Sequence, residues 1–433
     1  MLQGERGRAE LLLHVMLLDQ AELFKQRRLQ HGQDRVISRL GVRGFGHSGG
    51  ICDRPLLVGI SALLILTGCE TRIDAHVPVV EVESSRIQRF DTDSLLYDIV
   101  SVLPDESGVW ALSAQAPYLY RFDSGGRLRD SFGTRGRGPG ELSFPSGLLQ
   151  HPASAMLEVW DPGSHAIHRF SRDGAHQQTV GISFSGAAVR SDMREISYGV
   201  ANKVRRFGSG YVLQVEPGGA TQTRDFSHSL LVLIDSAGTP GDTLVDFRGP
   251  AEGAFRETAY ALVSIPLWEV CGRDRLVVFS PVARRLVWFE TSGHRMDSVT
   301  VDLPSRRLTS EDILFHMRHV LRGELRGQDV DSRTLEQLAS RIVRDKREFF
   351  PEKTPPAVDL VCDDRGRPWL NLFSTRDDPI GFSPEWQVVD RRPRRIRFPL
   401  GFHVYQLGAA RAYGTVRDAD GVERVAAISI PDA

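Results

Sequence analysis

The chain has 433 residues, of which 41% are hydrophobic and 25% are charged, a composition that supplies ample material for a folded core. A formal net charge of −1 excludes a strongly basic protein, so we expect no nucleic-acid partner. Only four cysteines occur, which excludes a disulfide-rich scaffold, and 41 glycines are typical of many short strands and turns.

Residues 1–53 form a segment upstream of the first strongly apolar run. It contains the stretch AELLLHVMLLDQAELFKQRRLQ, which has helical periodicity, followed by a region rich in glycine and arginine. The charged region that opens a signal peptide is usually only a few residues long, so this segment is too long for that role. We interpret 1–53 as an upstream extension and expect translation to start farther downstream.

Residues 54–69 predict a secretory signal peptide. The apolar run from Pro55 to Leu66 is shorter than the roughly 20 residues that a membrane-spanning helix needs. It has the length of the apolar region of a signal peptide, and Arg54 supplies the positive charge before it. A buried β-strand that ends at a cysteine is the alternative interpretation.

The last four residues of this segment, Leu66-Thr67-Gly68-Cys69, resemble the bacterial lipobox. The resemblance implies that Cys69 is diacylated on its thiol and that a signal peptidase cleaves between Gly68 and Cys69. A thiolate is a good nucleophile toward a lipid donor, and two small residues allow the peptidase to approach the backbone. The first predicted partner is therefore a lipid bilayer, reached through acylated Cys69.

Residues 70–77 are mostly polar and predict a tether between the anchor and a folded domain. Glu70 follows the cysteine in place of the aspartate that typically retains such lipoproteins at the inner membrane. By this family resemblance we expect a lipid-anchored protein of the cell envelope, at the outer membrane of a diderm bacterium.

A repeated hairpin runs through residues 78–433. The first strand of each hairpin ends at an apolar residue: Phe122, Phe170, Ile234, Phe289, Val389 and Ile428. A further strand precedes most hairpins, so each unit predicts a four-stranded meander, and such units bury both faces only when they pack radially. The segment PVVEVES, residues 78–84, is predicted to supply the outermost strand of the last unit and so to close the ring.

The stretch FGTRGRGPGELSFPSG, residues 132–147, resembles the linker between blades of NHL-type six-bladed β-propellers, a fold common among bacterial lipoproteins. The resemblance implies an all-β six-bladed propeller over 78–433. Its glycines permit positive φ on a tight path, and the pattern G-x-G-x-G followed by prolines excludes a nucleotide-binding loop. Three linker residues are candidates for facing a ligand: Arg135, Arg137 and Glu141.

Residues 308–352 interrupt the strand pattern and predict a helical insertion between blades four and five. Two helices are expected, at about 309–325 and 331–350. Thr309 with Asp312, or Ser310 with its acidic first turn, is expected to cap the first helix. We expect the insertion to lie on a propeller face, where it could roof the channel or dock a protein partner.

Candidate catalytic and metal-binding residues are few. His165 and His168 are expected on different faces, and His316 and His319 share a helical face without an evident third metal ligand. Sequences typical of a serine nucleophile elbow, a Walker loop or an HExxH zinc site are absent. We therefore predict no catalytic residue, no metal and no cofactor.

Cys271 and Cys362 are the two cysteines of the expected propeller. An oxidising exterior permits a disulfide between them. Two separate buried thiols are the alternative, because sequence does not place the two residues close together.

The sequence supports a function of binding more than one of catalysis. Our first hypothesis is a lipid-anchored propeller that acts as a binding or scaffold module for an unknown protein or small-molecule ligand. The alternative is an enzyme of the lactonase or lyase kind with a metal in the central channel. Side chains of the innermost strands discriminate between them, because three converging acidic or imidazole groups would favour the enzyme.

Overall fold

The structure is a computed structural model, and part of the chain is described by it. The described residues are 72–73, 77–90, 96, 98–150, 156–182, 198–217, 228–248, 262, 265–325, 330–345, 347, 350–374, 382–390, 392–408, 410–417 and 422–431. The predictions for 1–53, for the signal peptide 54–69 and for lipidation and cleavage at Gly68 and Cys69 lie outside these residues.

Six antiparallel meanders, here called blades 1 to 6, make up the described chain. Blades 1 to 3 contain β4 (Ile99–Asp105), β5 (Gly108–Ser113), β6 (Leu119–Asp123) and β7 (Leu128–Phe132); β8 (Gly147–Gln150), β9 (Leu157–Asp161), β10 (Ala166–Phe170) and β11 (His176–Gly181); and β12 (Tyr198–Phe207), β13 (Gly210–Pro217), β14 (His228–Ile234) and β15 (Pro240–Arg248).

Blades 4 to 6 follow the same order, and three short strands precede blade 1. Blades 4 to 6 contain β16 (Leu267–Cys271), β17 (Arg275–Ser280), β18 (Arg285–Glu290) and β19 (Arg295–Val301); β20 (Ala357–Cys362), β21 (Pro368–Phe373), β22 (Phe382–Val388) and β23 (Arg394–Arg397); and β24 (Phe402–Leu407), β25 (Arg411–Arg417) and β26 (Glu423–Ser429). The N-terminal strands are β1 (Arg72–Ile73), β2 (Val79–Glu81) and β3 (Ile87–Arg89).

The first strand of every blade contacts the first strand of the next. These contacts run β4 to β8, β12, β16, β20 and β24, and from β24 back to β4. A closed ring of innermost strands around a central channel defines a propeller. The predicted fold, a six-bladed β-propeller with an inserted helical pair, is confirmed.

Local turn chemistry explains why the hairpin repeats. In blade 1 the backbone N–H of Gly126 donates to Asp123 O at 2.9 Å, and the Asp123 carboxylate accepts from Arg127 N at 2.9 Å. Gly126 has φ of 86°, a left-handed conformation that glycine adopts without steric cost. Blade 3 repeats this turn with Asp235 and Gly238, whose N–H donates to Asp235 O at 3.1 Å. The same residue types therefore set the same hairpin geometry in different blades.

The core lies between neighbouring blades. Trp160 of blade 2 and Tyr211 of blade 3 share one apolar cluster, and Trp386 of blade 5 and Phe402 of blade 6 share another. Burial of this kind stabilises the fold by about 25 cal/mol for each Å² of apolar surface removed from water. Each small sheet thus depends on both of its neighbours for its hydrophobic burial.

The N-terminal strands run along the outer rim of three successive blades. Strand β1 pairs in parallel with β19 of blade 4, β2 pairs in parallel with β23 of blade 5, and β3 pairs antiparallel with β26 of blade 6. Strand pairing therefore begins inside the segment 70–77 that was expected to be a tether.

The ring closes through β3, which is the fourth strand of blade 6. The prediction that residues 78–84 fill this position is wrong, since their strand β2 adds a fifth strand to blade 5. Both strands are only three residues long, so the sequence alone does not distinguish their partners. In the structure Val82 packs with blades 5 and 6, whereas Phe90, just after β3, packs with blades 1 and 6.

The described residues form two α-helices between β19 and β20: α1 (Ser310–Glu324) and α2 (Ser332–Asp345). The predicted cap is confirmed, because Asp312 N donates to Thr309 Oγ1 at 3.2 Å and Thr309 N donates to Asp312 Oδ2 at 2.9 Å. Helix α2 ends five residues before the predicted position 350. Phe350 instead turns back, with its N–H donating to Arg347 O at 3.2 Å, and is buried among the helices.

The helices lie on one particular face of the propeller. Each blade has four meandering strands, so the chain enters and leaves a blade at the same face, here called the connection face. The helical cluster includes Leu262, in the link between blades 3 and 4, and contacts Phe373 at the end of β21. Both positions belong to the connection face. Among the described residues, no helix is long and apolar enough to cross a membrane.

Candidate ligand-binding channel

The innermost strands of blades 3, 4 and 5 carry charged side chains at the channel. Lys203 and Arg205 lie on β12, Glu269 lies on β16 and Asp359 lies on β20. Arg205 Nε is 2.7 Å from Glu269 Oε1, and Lys203 Nζ is 3.1 Å from Glu269 Oε2. One carboxylate of blade 4 therefore holds two cations of blade 3.

Further contacts fix the Lys203 ammonium. Its Nζ donates to the carbonyl oxygen of Trp268 at 2.6 Å and lies 4.9 Å from the centre of the Trp268 ring. Trp268 Nε1 in turn donates to Gln214 Oε1 at 2.7 Å. Because an indole attracts a cation over its face, the aromatic wall and the carboxylate act together on the ammonium group.

Burial and charge oppose each other in this cluster. Burial lowers the pKa of Lys203, and the nearby charges of Glu269 and Asp359 only partly offset this effect. Burial alone would raise the pKa of Glu269, but Arg205 and Lys203 outweigh it and hold that pKa below its ordinary value. Glu269 is thus a stable anion, while Lys203 loses its proton more easily than an exposed lysine does.

Tyr405 extends the polar lining to blade 6. Its hydroxyl donates to the carbonyl oxygen of Ile99 at 2.5 Å. Burial raises the pKa of Tyr405, the charges of Glu423 and Asp359 add to this effect, and Arg417 opposes it. Tyr405 is therefore a neutral hydroxyl, suited to hydrogen bonding and not to proton abstraction.

The innermost strands of blades 3 to 5 carry balanced charges. Two cations and two carboxylates balance one another on three adjacent innermost strands. Among the described residues, no group of three or more His, Cys, Asp or Glu side chains could hold a metal ion. This arrangement suits a polar ligand that carries charges of both signs.

A second charged cluster lies between blades 2 and 3. Glu158 is fully buried and accepts from Arg169 Nε at 2.9 Å and from the Tyr211 hydroxyl at 2.8 Å. Arg206 Nε is 3.1 Å from the other Glu158 oxygen, and its guanidinium lies 4.6 Å from the Tyr211 ring centre. Burial, followed by the charge of Glu158, raises the pKa of Tyr211 to about 12. The opposite charges pair across the two blades, so the cluster joins them.

The predicted ligand-facing loop forms the link between blades 1 and 2. Arg135 and Arg137 are exposed, whereas Glu141 turns back on its own loop, where Oε2 accepts from Gly138 N at 2.7 Å. Asp161 holds the end of the loop by accepting from Ser143 N at 2.7 Å. Glu141 therefore shapes the linker, and a ligand role for the two arginines stays a prediction.

The two members of each histidine pair differ in burial, although only His165 and His168 were predicted to lie on different faces. His168 is buried and contacts Ser164 Oγ at 3.1 Å, whereas His165 is exposed in the preceding turn. His316 is buried in the helical insertion, whereas His319 is exposed. The members of each pair therefore occupy different environments.

The two propeller cysteines form a disulfide. Cys271 ends β16 and Cys362 ends β20, and their Cα atoms are 5.2 Å apart. The bond joins the innermost strands of blades 4 and 5 and resolves the alternatives that the sequence left open.

A shallow groove of about 180 Å³ lies on helix α1 of the insertion. Its lining consists of Phe315, Arg318, His319 and Arg322. Arg318 pairs with Glu336 of helix α2, so part of its charge is already neutralised. The groove is a second place on the connection face where a partner could contact the chain.

Sequence reasoning missed the channel residues Lys203, Arg205 and Glu269. A signal was present, since the innermost strands LWEVC and AVDLVC each place one carboxylate inside an otherwise apolar run. A lone acid in a buried strand requires a partner, because an unpaired buried charge is costly. The partner lies on another blade, and the sequence does not identify it.

Comparison with known proteins gives structural similarity only. The chain matches no protein-family model and no curated protein. A Bacteroides fragilis protein described as exported is similar at 11% identity and a TM-score of 0.44, over 81% of this chain and 98% of that one. Virginiamycin B lyase from Staphylococcus aureus is similar at 8% identity and a TM-score of 0.41, over 79% of this chain and 99% of that one. Regucalcin from Agrobacterium tumefaciens, a calcium-binding protein, is similar at 11% identity and a TM-score of 0.41, over 82% of this chain and 97% of that one.

Proposed function

We propose that this chain is a lipid-anchored β-propeller of the cell envelope that acts as a binding or scaffold module. The observation that carries the proposal is the pairing of Glu269 with both Lys203 and Arg205 at the channel. These groups are held in place before any ligand arrives, so little side-chain entropy is lost on binding. A protein segment or a small molecule could be the ligand.

The balance of charge favours a zwitterionic ligand, such as a free amino acid or a short peptide. An anionic group of such a ligand can share the Lys203 ammonium and the Arg205 guanidinium. A cationic group can approach Asp359, whose charge already acts on Lys203. Complementary charges of this kind give specificity more than raw affinity.

Thermal unfolding with a panel of amino acids and short peptides tests this binding. A ligand that binds the folded state raises the Tm, and we expect at least one panel member to do so. Glu269→Gln should diminish the rise, because Lys203 and Arg205 lose the carboxylate that holds them in place before the ligand arrives. Glu81→Gln is the control, since that side chain is 61% exposed on the outer rim. Failure of every panel member to raise the Tm would contradict the zwitterionic class.

Membrane attachment rests on Cys69 and the lipobox. The disulfide between Cys271 and Cys362 supports an oxidising compartment outside the cytoplasm, where such bonds persist. Several acyl chains would anchor the protein durably, whereas a single chain binds a membrane only marginally. Cys69→Ala should move the protein from the membrane fraction to the soluble fraction, and unchanged partitioning would contradict the anchor.

The alternative is a lactonase or lyase with a divalent metal in the channel. Such chemistry requires several converging carboxylates or imidazoles, whereas Glu269 is occupied by two cations. Titration of the purified protein with Ca²⁺, Mn²⁺ and Zn²⁺ separates the two functions. We expect no saturable rise in Tm with these ions, and a saturable rise would favour the enzyme.

A further inference from the structure

The position of β1 limits how far the propeller can lie from its anchor. Arg72 pairs with Thr300 and Ile73 pairs with Val301, so the chain joins blade 4 only three residues after Cys69. Even a fully extended chain spans at most about 3.6 Å for each residue, which gives a reach of about 11 Å. Provided that Cys69 is acylated as proposed above, we infer that the propeller lies with the rim of blade 4 against the lipid surface.

The segment from Cys69 to Arg72, here called the leash, cannot lengthen without breaking strand pairs. After β1 the chain continues along the rim as β2 on blade 5 and β3 on blade 6. Arg397 of blade 5 fixes β2 further by donating to Glu81 Oε1 at 2.7 Å. These strands are therefore part of the fold, and only residues 70 and 71 separate Cys69 from the first paired residue, Arg72.

The rim of blade 4 presents an apolar side chain beside this leash. Met296 on β19 is 55% exposed. Met296 precedes Thr300 by four residues, about 14 Å along a strand. Since β1 runs parallel to β19, the direction from Arg72 back toward the anchor is the direction from Thr300 toward Met296.

Contact through one rim determines which surfaces remain accessible. Blades radiate from the channel axis, so a rim against the membrane places that axis in the plane of the membrane. The connection face, with its helical pair, then points sideways and is not covered by lipid. The two ends of the channel then point along the membrane surface, so lipid covers neither of them.

Quenching of a site-specific fluorophore tests this orientation. Lipidated full-length protein carrying Met296→Cys, labelled with bimane, is reconstituted in vesicles of phosphatidylethanolamine and phosphatidylglycerol with spin-labelled headgroups. Ser131→Cys is the matched control, since Ser131 is exposed on β7, the outermost strand of blade 1, three blades away. We expect loss of fluorescence at position 296 and none at position 131. Equal quenching at both positions, or stronger quenching at 131, would overturn the inference.

A longer leash supplies the second measurement. A flexible Gly-Ser insertion of about 20 residues after Glu70 has a root-mean-square span of about 25 Å and should remove the difference between the two positions. A difference that survives unchanged would overturn the leash as its cause. Flotation with the vesicles distinguishes a failure of lipidation from a failure of the orientation. Protein that does not float contradicts lipidation, whereas floating protein with equal quenching at the two positions contradicts only the orientation.

Discussion

The disulfide between blades 4 and 5 should contribute a large share of the stability of the propeller. Cys271 and Cys362 are 91 residues apart in sequence, and both are buried between the blades. In the chain-entropy model, closing a loop of this length restricts the unfolded state by about 15.5 cal/mol/K, or about 4.6 kcal/mol at 25 °C. The double variant Cys271→Ala with Cys362→Ala should lose a free energy of unfolding of about this size.

Equilibrium urea unfolding, followed by tryptophan fluorescence, measures the effect. Wild-type protein unfolded in the presence of dithiothreitol is the matched control, because reduction removes the same crosslink without removing the side chains. Reduced wild type and the double variant should unfold at nearly the same urea concentration, well below oxidised wild type. A loss of less than about 1 kcal/mol in both samples would refute the reasoning, since it lies below the range expected for removal of a native disulfide.

Three further changes test other parts of the fold. Burial lowers the pKa of His168 despite the nearby charge of Asp161, so the unfolded state takes up a proton more readily. Stability should therefore fall as pH drops below about 6.5, and His168→Gln should flatten this dependence in urea unfolding at pH 7.5 and 5.5. Phe90→Ala should cost about 3–5 kcal/mol because Phe90 is buried beside the closing strand, whereas Val79→Ala on the exposed rim should cost much less. Glu158→Gln leaves two largely buried arginines, Arg169 and Arg206, without a carboxylate and should cost about 3–5 kcal/mol; a loss below about 1 kcal/mol would contradict the paired charges.

The sequence predicts the local parts of this fold better than the distant ones. Asp123 and Gly126 lie three residues apart and determine a turn by themselves, so the repeated hairpin is readable from the chain. The cap of Thr309 and Asp312 is local in the same sense and is one of the two caps that the sequence predicted. The disulfide and the choice between β2 and β3 as the closing strand depend on which segments meet after the ring has formed. Strands of only three residues give no sign of their partner.

The candidate site also shows that the sequence does not identify distant partners, even for residues on one strand. Strand β12 contains Lys203, Arg205 and Arg206, and alternation along a strand sends neighbours to opposite faces. Arg205 pairs with Glu269 of blade 4, whereas Arg206 pairs with Glu158 of blade 2. The basic residues of β12 thus lie on an inner strand and form ion pairs with carboxylates of the two neighbouring blades. The two clusters differ in one respect: Arg206 is 13% exposed, whereas Arg205 is 34% exposed. The Arg205 side of the strand is therefore the more open to solvent.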